Sequence, residues 1–140
     1  MLYCKRKNST NWQFPQGGID KNEDIFDAAL RELYEEVGIE ENKIKLIKES
    51  DNWYKYDLPK KYKRNSFLWD SFKGQKQKWF LFKLIEETSI DLNNENNPEF
   101  DEFNWVDYWK PLDEIVDFKR EIYEKVLTEL EPAYKLEFSE

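Results

Sequence analysis

Three glutamates, Glu32, Glu35 and Glu36, stand three and four residues apart inside the stretch "GGIDKNEDIFDAALRELYEEVG". On an α-helix that spacing gathers the carboxylates on one arc, where each like-charge pair costs about 0.2–0.5 kcal/mol. Nothing within the helix recovers that cost. A hard divalent cation such as Mg²⁺ would, because it takes carboxylate oxygens and keeps waters and substrate phosphates as its other ligands. The alternative is a solvated acidic face. The chain contains no histidine, which removes histidine-based triads and the commonest zinc ligand. Acid–base chemistry must therefore come from carboxylates, lysine, tyrosine or bound water.

The helix that carries these acids is predicted over residues 24–37, with Asn22 or Asp20 near its start and Gly38 as its stop. At 100° per residue, Phe26, Ala29, Leu30, Leu33, Tyr34 and Val37 form the arc that would pack on a sheet, and the three glutamates fall on the opposite arc. Strands are predicted in "MLYCKRK", "WQFP", "KIKLIKES", "NWYKYDL" and "EFNWVDYW". "KWFLFKLI" is more apolar and is expected near the centre of a sheet. A second helix is predicted from about Asp113 to Glu131, with Ile115, Phe118 or Ile122, Val126 and Leu130 near helical spacing. Strands flanked by two helices give a mixed α/β sandwich. At 140 residues the chain makes one domain with a real core.

The 24 aromatic residues suit a packed globule and argue against disorder. A single cysteine, Cys4, excludes an intrachain disulfide and a cysteine-cluster zinc site. No segment approaches the roughly 20 apolar residues of a membrane span, and "MLYCKRKN" is too short and polar for a signal peptide. The cytoplasm is the expected location. The net charge of −8 opposes broad, nonspecific nucleic-acid binding. Charge is nevertheless uneven: residues 55–78 carry eight positive side chains against Asp57 and Asp70, whereas residues 86–117 carry eleven acids against Lys110. Such a basic surface could hold a phosphorylated ligand, or be a solvated loop.

The spacing of the quoted stretch is Gly17, five residues, Glu23, seven residues, Arg31-Glu32-Leu33, one residue, Glu35-Glu36, one residue, Gly38-Ile39. It resembles the Nudix box at every fixed position. Gly17 and Gly18 allow a sharp turn and close approach to a metal or phosphate, and Glu23 and Arg31 are placed to pin the loop to the helix. The resemblance implies the Nudix fold, an α/β/α sandwich around a mixed sheet, and hydrolysis of a nucleoside diphosphate linked to a further group. It also implies Mg²⁺, with Mn²⁺ or another divalent metal as substitute, held by Glu32, Glu35 and Glu36. The general base would be a box glutamate or a carboxylate on a distant loop, for which "NNPEFDEFNWV" supplies Glu99.

Beyond the box, "NWQFPQGGID", "NWYKYDLP", "GQKQKWFLF", "NPEFDEFNWVDYW" and "FKREIY" look like the bacterial RNA pyrophosphohydrolases, relatives of the dinucleoside polyphosphate hydrolases. That resemblance implies removal of pyrophosphate or phosphate from the 5′ end of RNA, leaving a 5′-monophosphate that marks the transcript for decay. It assigns Glu32, Glu35, Glu36 and Glu99 to the metal and catalytic carboxylates, and Gln16 or Gly17 to a metal-ligating backbone carbonyl. It assigns Phe118 and Arg6 to a sandwich around an RNA base and Lys119 to a nearby phosphate or base. Lys76 and Lys78, alternating with glutamines, would share one strand face and touch the polyphosphate. The other readings are a packing residue for Phe118, a solvated strand face for the two lysines and a surface charge for Arg6. Family members begin some twenty residues earlier, with a "Tyr-Arg-Pro" segment and a strand, so the first strand of the fold is expected to be missing here. A dinucleoside polyphosphate hydrolase and a noncatalytic binder of RNA ends or nucleotides are the competing functions. A monomer is expected, with a protein activator as a further partner to test.

Overall fold

Asp24 starts the first helix. Its carboxylate accepts from the backbone N–H of Phe26 and Asp27, at 3.0 and 3.3 Å, which satisfies amides that have no partner inside the helix. The cap thus falls two residues beyond Asn22, whose φ of 65° keeps it outside the helix. The computed structural model describes residues 1–15, 22–55, 76–94, 98–115 and 117–138, without the side chains of Lys55, Lys76, Glu114, Asp117 and Phe118. In chain order the elements are β1 (Leu2–Arg6), β2 (Trp12–Gln13), α1 (Ile25–Val37), β3 (Ile44–Glu49), β4 (Tyr54–Lys55), β5 (Lys76–Gln77), β6 (Phe80–Leu84), β7 (Phe100–Trp105), α2 (Pro111–Glu114) and α3 (Asp117–Phe138).

The described ladders are antiparallel and form three groups, β2-β1-β7, β3-β6 and β4-β5. Strand alternation places one long helix on each side of them. In β1, Tyr3 joins Phe14, Tyr123 and Leu127 on the α3 side, while its neighbour Cys4 joins Val37, Ile39 and Phe100 on the α1 side. In β6, Phe80 and Phe82 meet Phe26 of α1 at ring-centroid distances of 5.7 and 6.2 Å, while Leu81 packs with Ile122, Val126 and Leu130 of α3. The result is the expected α/β/α sandwich. Each fully buried side chain of this size contributes about 1.5–3 kcal/mol of transfer free energy.

Among the described residues β6 pairs with β3 alone. Its apolar run reflects helices covering both faces, a pattern that by itself cannot count ladder neighbours. The predicted C-terminal helix differs. Ile115 is extended (ψ 148°) and its N–H returns to the Pro111 carbonyl, which separates α2 from α3. At its other end α3 continues through Pro132 to Phe138. Proline normally ends a helix, but here Tyr134 stacks on Tyr108 at 4.3 Å and on Phe138 at 4.9 Å. Those stacking contacts oppose the local cost of the proline.

Glu129 of α3 fixes the turn between β3 and β4. Its carboxylate accepts from the Asp51 N–H at 2.8 Å, the Asn52 side-chain amide at 2.8 Å and the Tyr54 hydroxyl at 2.6 Å. Burial pushes the Glu129 pKa up, but these hydrogen bonds outweigh it and hold the group below the ordinary glutamate value.

Gly38 closes α1 at φ 73°, donating its N–H to the Tyr34 carbonyl. A Cβ added there would lie 2.8 Å from the Cβ of Asp91, whose own N–H bonds the Val37 carbonyl. Gly38→Ala is therefore expected to lower unfolding free energy by about 2 kcal/mol or more, from the left-handed backbone plus the clash. Urea denaturation of the two chains measures it; an alanine chain as stable as wild type would contradict this account of the helix stop.

Candidate active site

The centre of the site is the Arg31 guanidinium. It grips Glu23 with two hydrogen bonds, Nε to Oε2 and Nη2 to Oε1, both 2.9 Å. Nη1 reaches Glu32 Oε1 at 2.7 Å and Glu35 Oε2 at 3.2 Å. One planar cation thus ties the turn before α1 to two acids on the helix, using the fork geometry that only arginine offers. The pinning of loop to helix expected for Glu23 and Arg31 is present.

Glu36 behaves differently. The sequence places it with Glu32 and Glu35 on the arc away from the sheet, yet it is buried, with 2% of its surface exposed, and both carboxylate oxygens are sealed from solvent. The buried stripe of α1 is rotated from the expected one. Ile25, Ala28, Glu32, Leu33 and Glu36 face a cavity of about 780 Å³, whereas Tyr34, expected in the core, is 46% exposed. A packing arc drawn from apolar residues alone cannot reveal that a carboxylate lies on its inner edge. Glu35 stays outside, with 41% of its side chain exposed.

Desolvation raises the Glu32 pKa above the ordinary glutamate value, partly opposed by the hydrogen bond and charge of Arg31 and reinforced by the negative charges of Glu35 and Glu99. Glu99, on the loop before β7, is therefore near enough to act on Glu32 electrostatically. Its carbonyl accepts from the Lys7 N–H at 2.8 Å, which fixes the loop against the end of β1. Glu36 in turn adds to the effect of burial on Cys4, whose thiol pKa is pushed up to about 12.

The donor set suits a hard cation: four carboxylates, no imidazole, and a lone thiol held protonated. Among the described residues, however, no three acids are gathered as a ready metal cluster. Arg31 draws Glu32 and Glu35 toward itself, while Glu36 points inward. Gln16, Gly17 and Gly18 lie outside the described residues.

The proposed substrate contacts are distributed as follows. The Lys119 ammonium is buried and donates to Gln13 Oε1 at 3.0 Å. Burial, with the nearby positive charge of Arg6 adding to it, lowers its pKa to about 8. Lys119 and Arg6, 113 positions apart in the sequence, are thus brought together. Phe118 stands beside Lys119 at the start of α3, but its side chain is outside the described set, as is that of Lys76. Lys78 lies just past β5 on the wall of the cavity that Glu32 and Glu36 share. Most of the basic segment, 56–75, falls outside the described residues. Gln13 as the partner of Lys119, and Glu129 as the clamp, were not singled out from sequence, because both contacts join elements far apart in the chain.

Two outcomes follow from this geometry. Arg31→Ala leaves three carboxylates without their shared cation, and is expected to cost about 2 kcal/mol of stability; Arg31→Lys recovers less than half, having no fork. Denaturant titration measures both, and full rescue by lysine would contradict the bidentate role. For Lys119 the folded pKa, about 8, lies below the ordinary lysine value of 10.5. The charged form is disfavoured on folding, so its penalty is complete below pH 8 and fades toward pH 10.5. The stability of wild type relative to Lys119→Met should therefore rise across that window and stay level at lower pH.

The family pattern of the NUDIX domain matches residues 1–126. A protein of Haemophilus ducreyi named RNA pyrophosphohydrolase is 44% identical over 130 residues, covering 92% of this chain and 66% of its own length. One of the same name from Psychrobacter cryohalolentis is 44% identical, covering 98% of this chain and 79% of the relative. This chain therefore spans just under two thirds of the first relative's length. Among solved structures, the E. coli dihydroneopterin triphosphate pyrophosphohydrolase superposes with a TM-score of 0.67 at 20% identity, over 91% of this chain and 84% of that one. A C. elegans Ap4A hydrolase complex superposes with a TM-score of 0.63 at 18% identity, over 94% and 86%. At those identities the structures speak for the fold alone. With its box intact from Gly17 to Ile39 and its sandwich shared with these neighbours, the chain belongs to the Nudix family.

Proposed function

We propose that this chain hydrolyses the 5′-terminal polyphosphate of RNA, releasing pyrophosphate or phosphate and leaving a 5′-monophosphate that begins transcript decay. The observation that carries the reading is the 43–46% identity, across 91–98% of the chain, to proteins named RNA pyrophosphohydrolase. The acids on α1 and the loop before β7 supply the matching chemistry.

A divalent cation, Mg²⁺ or Mn²⁺, would be held by Glu32, Glu35, Glu36 and Glu99, with the Gly17 carbonyl as a further ligand. When bound, such ions neutralise phosphate charge and make water more acidic. The protein's own contributions can be separated from that. Arg31 holds Glu32 and Glu35 adjacent, with one nitrogen donating to both carboxylates. Glu36 places a carboxyl group in an enclosed wall. Glu99, exposed and close to Glu32, is positioned to accept a proton from attacking water at a carboxylate oxygen. Arg6 and Phe118 would hold a base between a guanidinium and a ring, with Lys119 beside them held by Gln13. Lys76 and Lys78 would meet the phosphates. The cytoplasm would be the compartment for RNA turnover of this kind.

The test compares triphosphorylated RNA with diadenosine tetraphosphate at matched concentration, with and without Mg²⁺. The expected result is Mg²⁺-dependent release of pyrophosphate or phosphate, with the higher kcat/KM for RNA. Glu36→Gln and Glu99→Gln should each lower kcat by about 10²–10⁴-fold while RNA binding persists. A preference of orders of magnitude for the dinucleotide would transfer the chain to the small-molecule reading. Binding without any phosphate release would make it a noncatalytic end binder.

A further inference from the structure

Trp53 lies at the tip of the β3–β4 turn, with 48% of its surface exposed. The backbone on both sides of it is fixed. Glu129 of α3 accepts from Asp51, Asn52 and Tyr54. From the other direction, Ser50 Oγ accepts from the Trp79 N–H at 3.0 Å and donates to the Asn52 carbonyl at 2.9 Å. The Ser50 N–H also reaches the Trp79 carbonyl at 2.7 Å. A turn held from two elements, with a half-exposed indole at its tip, presents that ring with little freedom left to lose on binding.

The ring has a cation beside it. Lys78 Nζ lies 5.4 Å from the indole centroid and donates to the Asp51 carbonyl at 3.3 Å. The same lysine lines the cavity shared by Glu32 and Glu36. Lys78 is thus a neighbour of Trp53 and one of the residues bordering the interior cavity that Glu32 and Glu36 also border. A flat, rigid, electron-rich surface beside an ammonium suits a nucleobase next to a phosphate, since bases stack on aromatic faces whatever their sequence.

We infer that Trp53 is a stacking platform for an unpaired base of the RNA substrate, with Lys78 beside it facing the adjoining phosphate. This rests on the RNA-end reading above and adds a subsite to it, separate from the Arg6 and Phe118 pair.

The test uses the full chain as wild type, Trp53→Ala and Trp53→Phe, with a short 5′-triphosphorylated RNA whose 5′ region is single-stranded and whose 3′ end carries a fluorophore. Fluorescence anisotropy gives Kd and phosphate release gives KM and kcat. Trp53→Ala should raise Kd and KM together by about five- to a hundredfold, the range for losing one stacked base, with a far smaller change in kcat. Trp53→Phe should recover most of that loss, and both variants should melt near the wild-type temperature. An alanine variant that binds RNA as wild type does overturns the inference and leaves the function intact. So does a loss that phenylalanine fails to rescue, or one that follows melting temperature. Wild-type chain that binds RNA but releases no phosphate overturns the function instead, while the anisotropy comparison still decides the role of Trp53.

Discussion

Carboxylates that must stand close together for chemistry repel one another until something positive arrives, and in this chain Arg31 is the resident positive group. Its five donors satisfy Glu23 twice and reach Glu32 and Glu35 once each. Partial burial strengthens these contacts relative to an exposed pair. It also makes them indispensable, because removing the guanidinium would leave three acids facing each other at low dielectric. The arrangement fixes the start of α1, the spacing of two acids along it and the approach of the preceding turn. A cation entering this site would have to compete with Arg31 for Glu32 and Glu35.

The rest of the fold serves to keep α1 in place. Val37, Ile39, Cys4 and Phe100 form the cluster beneath its C-terminal end, and Phe26 meets the two phenylalanines of β6 near its N-terminal end. α3 covers the opposite face with Tyr123, Val126, Leu127 and Leu130, none more than 4% exposed. From that position it also sends Lys119 toward Arg6 and Glu129 toward the β3–β4 turn. A single helix thereby supports the core while also contacting Gln13 of β2 and the β3–β4 turn.

Much of this was legible in the chain because the relevant signals are local. The box spacing, the glycine stop of α1 and the helical stripe of Ile122, Val126 and Leu130 all act within a few residues, whereas the alternation expected for β3 is broken by a register shift between Leu46 and Lys48 that leaves Leu46 exposed. What escaped was set by tertiary context. The inward turn of Glu36 depends on which side of α1 the sheets approach, and the apolar arc spans enough of the helix to allow a rotation. Helix α3 passes Pro132 because Tyr108, 24 positions upstream, offers a ring to Tyr134. The ladder neighbours of β6 depend on which strands lie beside it, whereas its apolar sequence reports only that both faces are covered. Trp53 looked like one more aromatic in an alternating run, and only its exposure and the clamp around it distinguish it.

Cys4 shows how burial can protect a site from the wrong chemistry. Its thiol is fully enclosed, and burial together with the negative charge of Glu36 drives its pKa to about 12. At neutral pH the sulfur therefore remains protonated and unreactive, offering no thiolate to zinc, cadmium or other soft ions. Sulfur adjoins the acidic centre without competing in it, so thiophilic contaminants find only oxygen donors there.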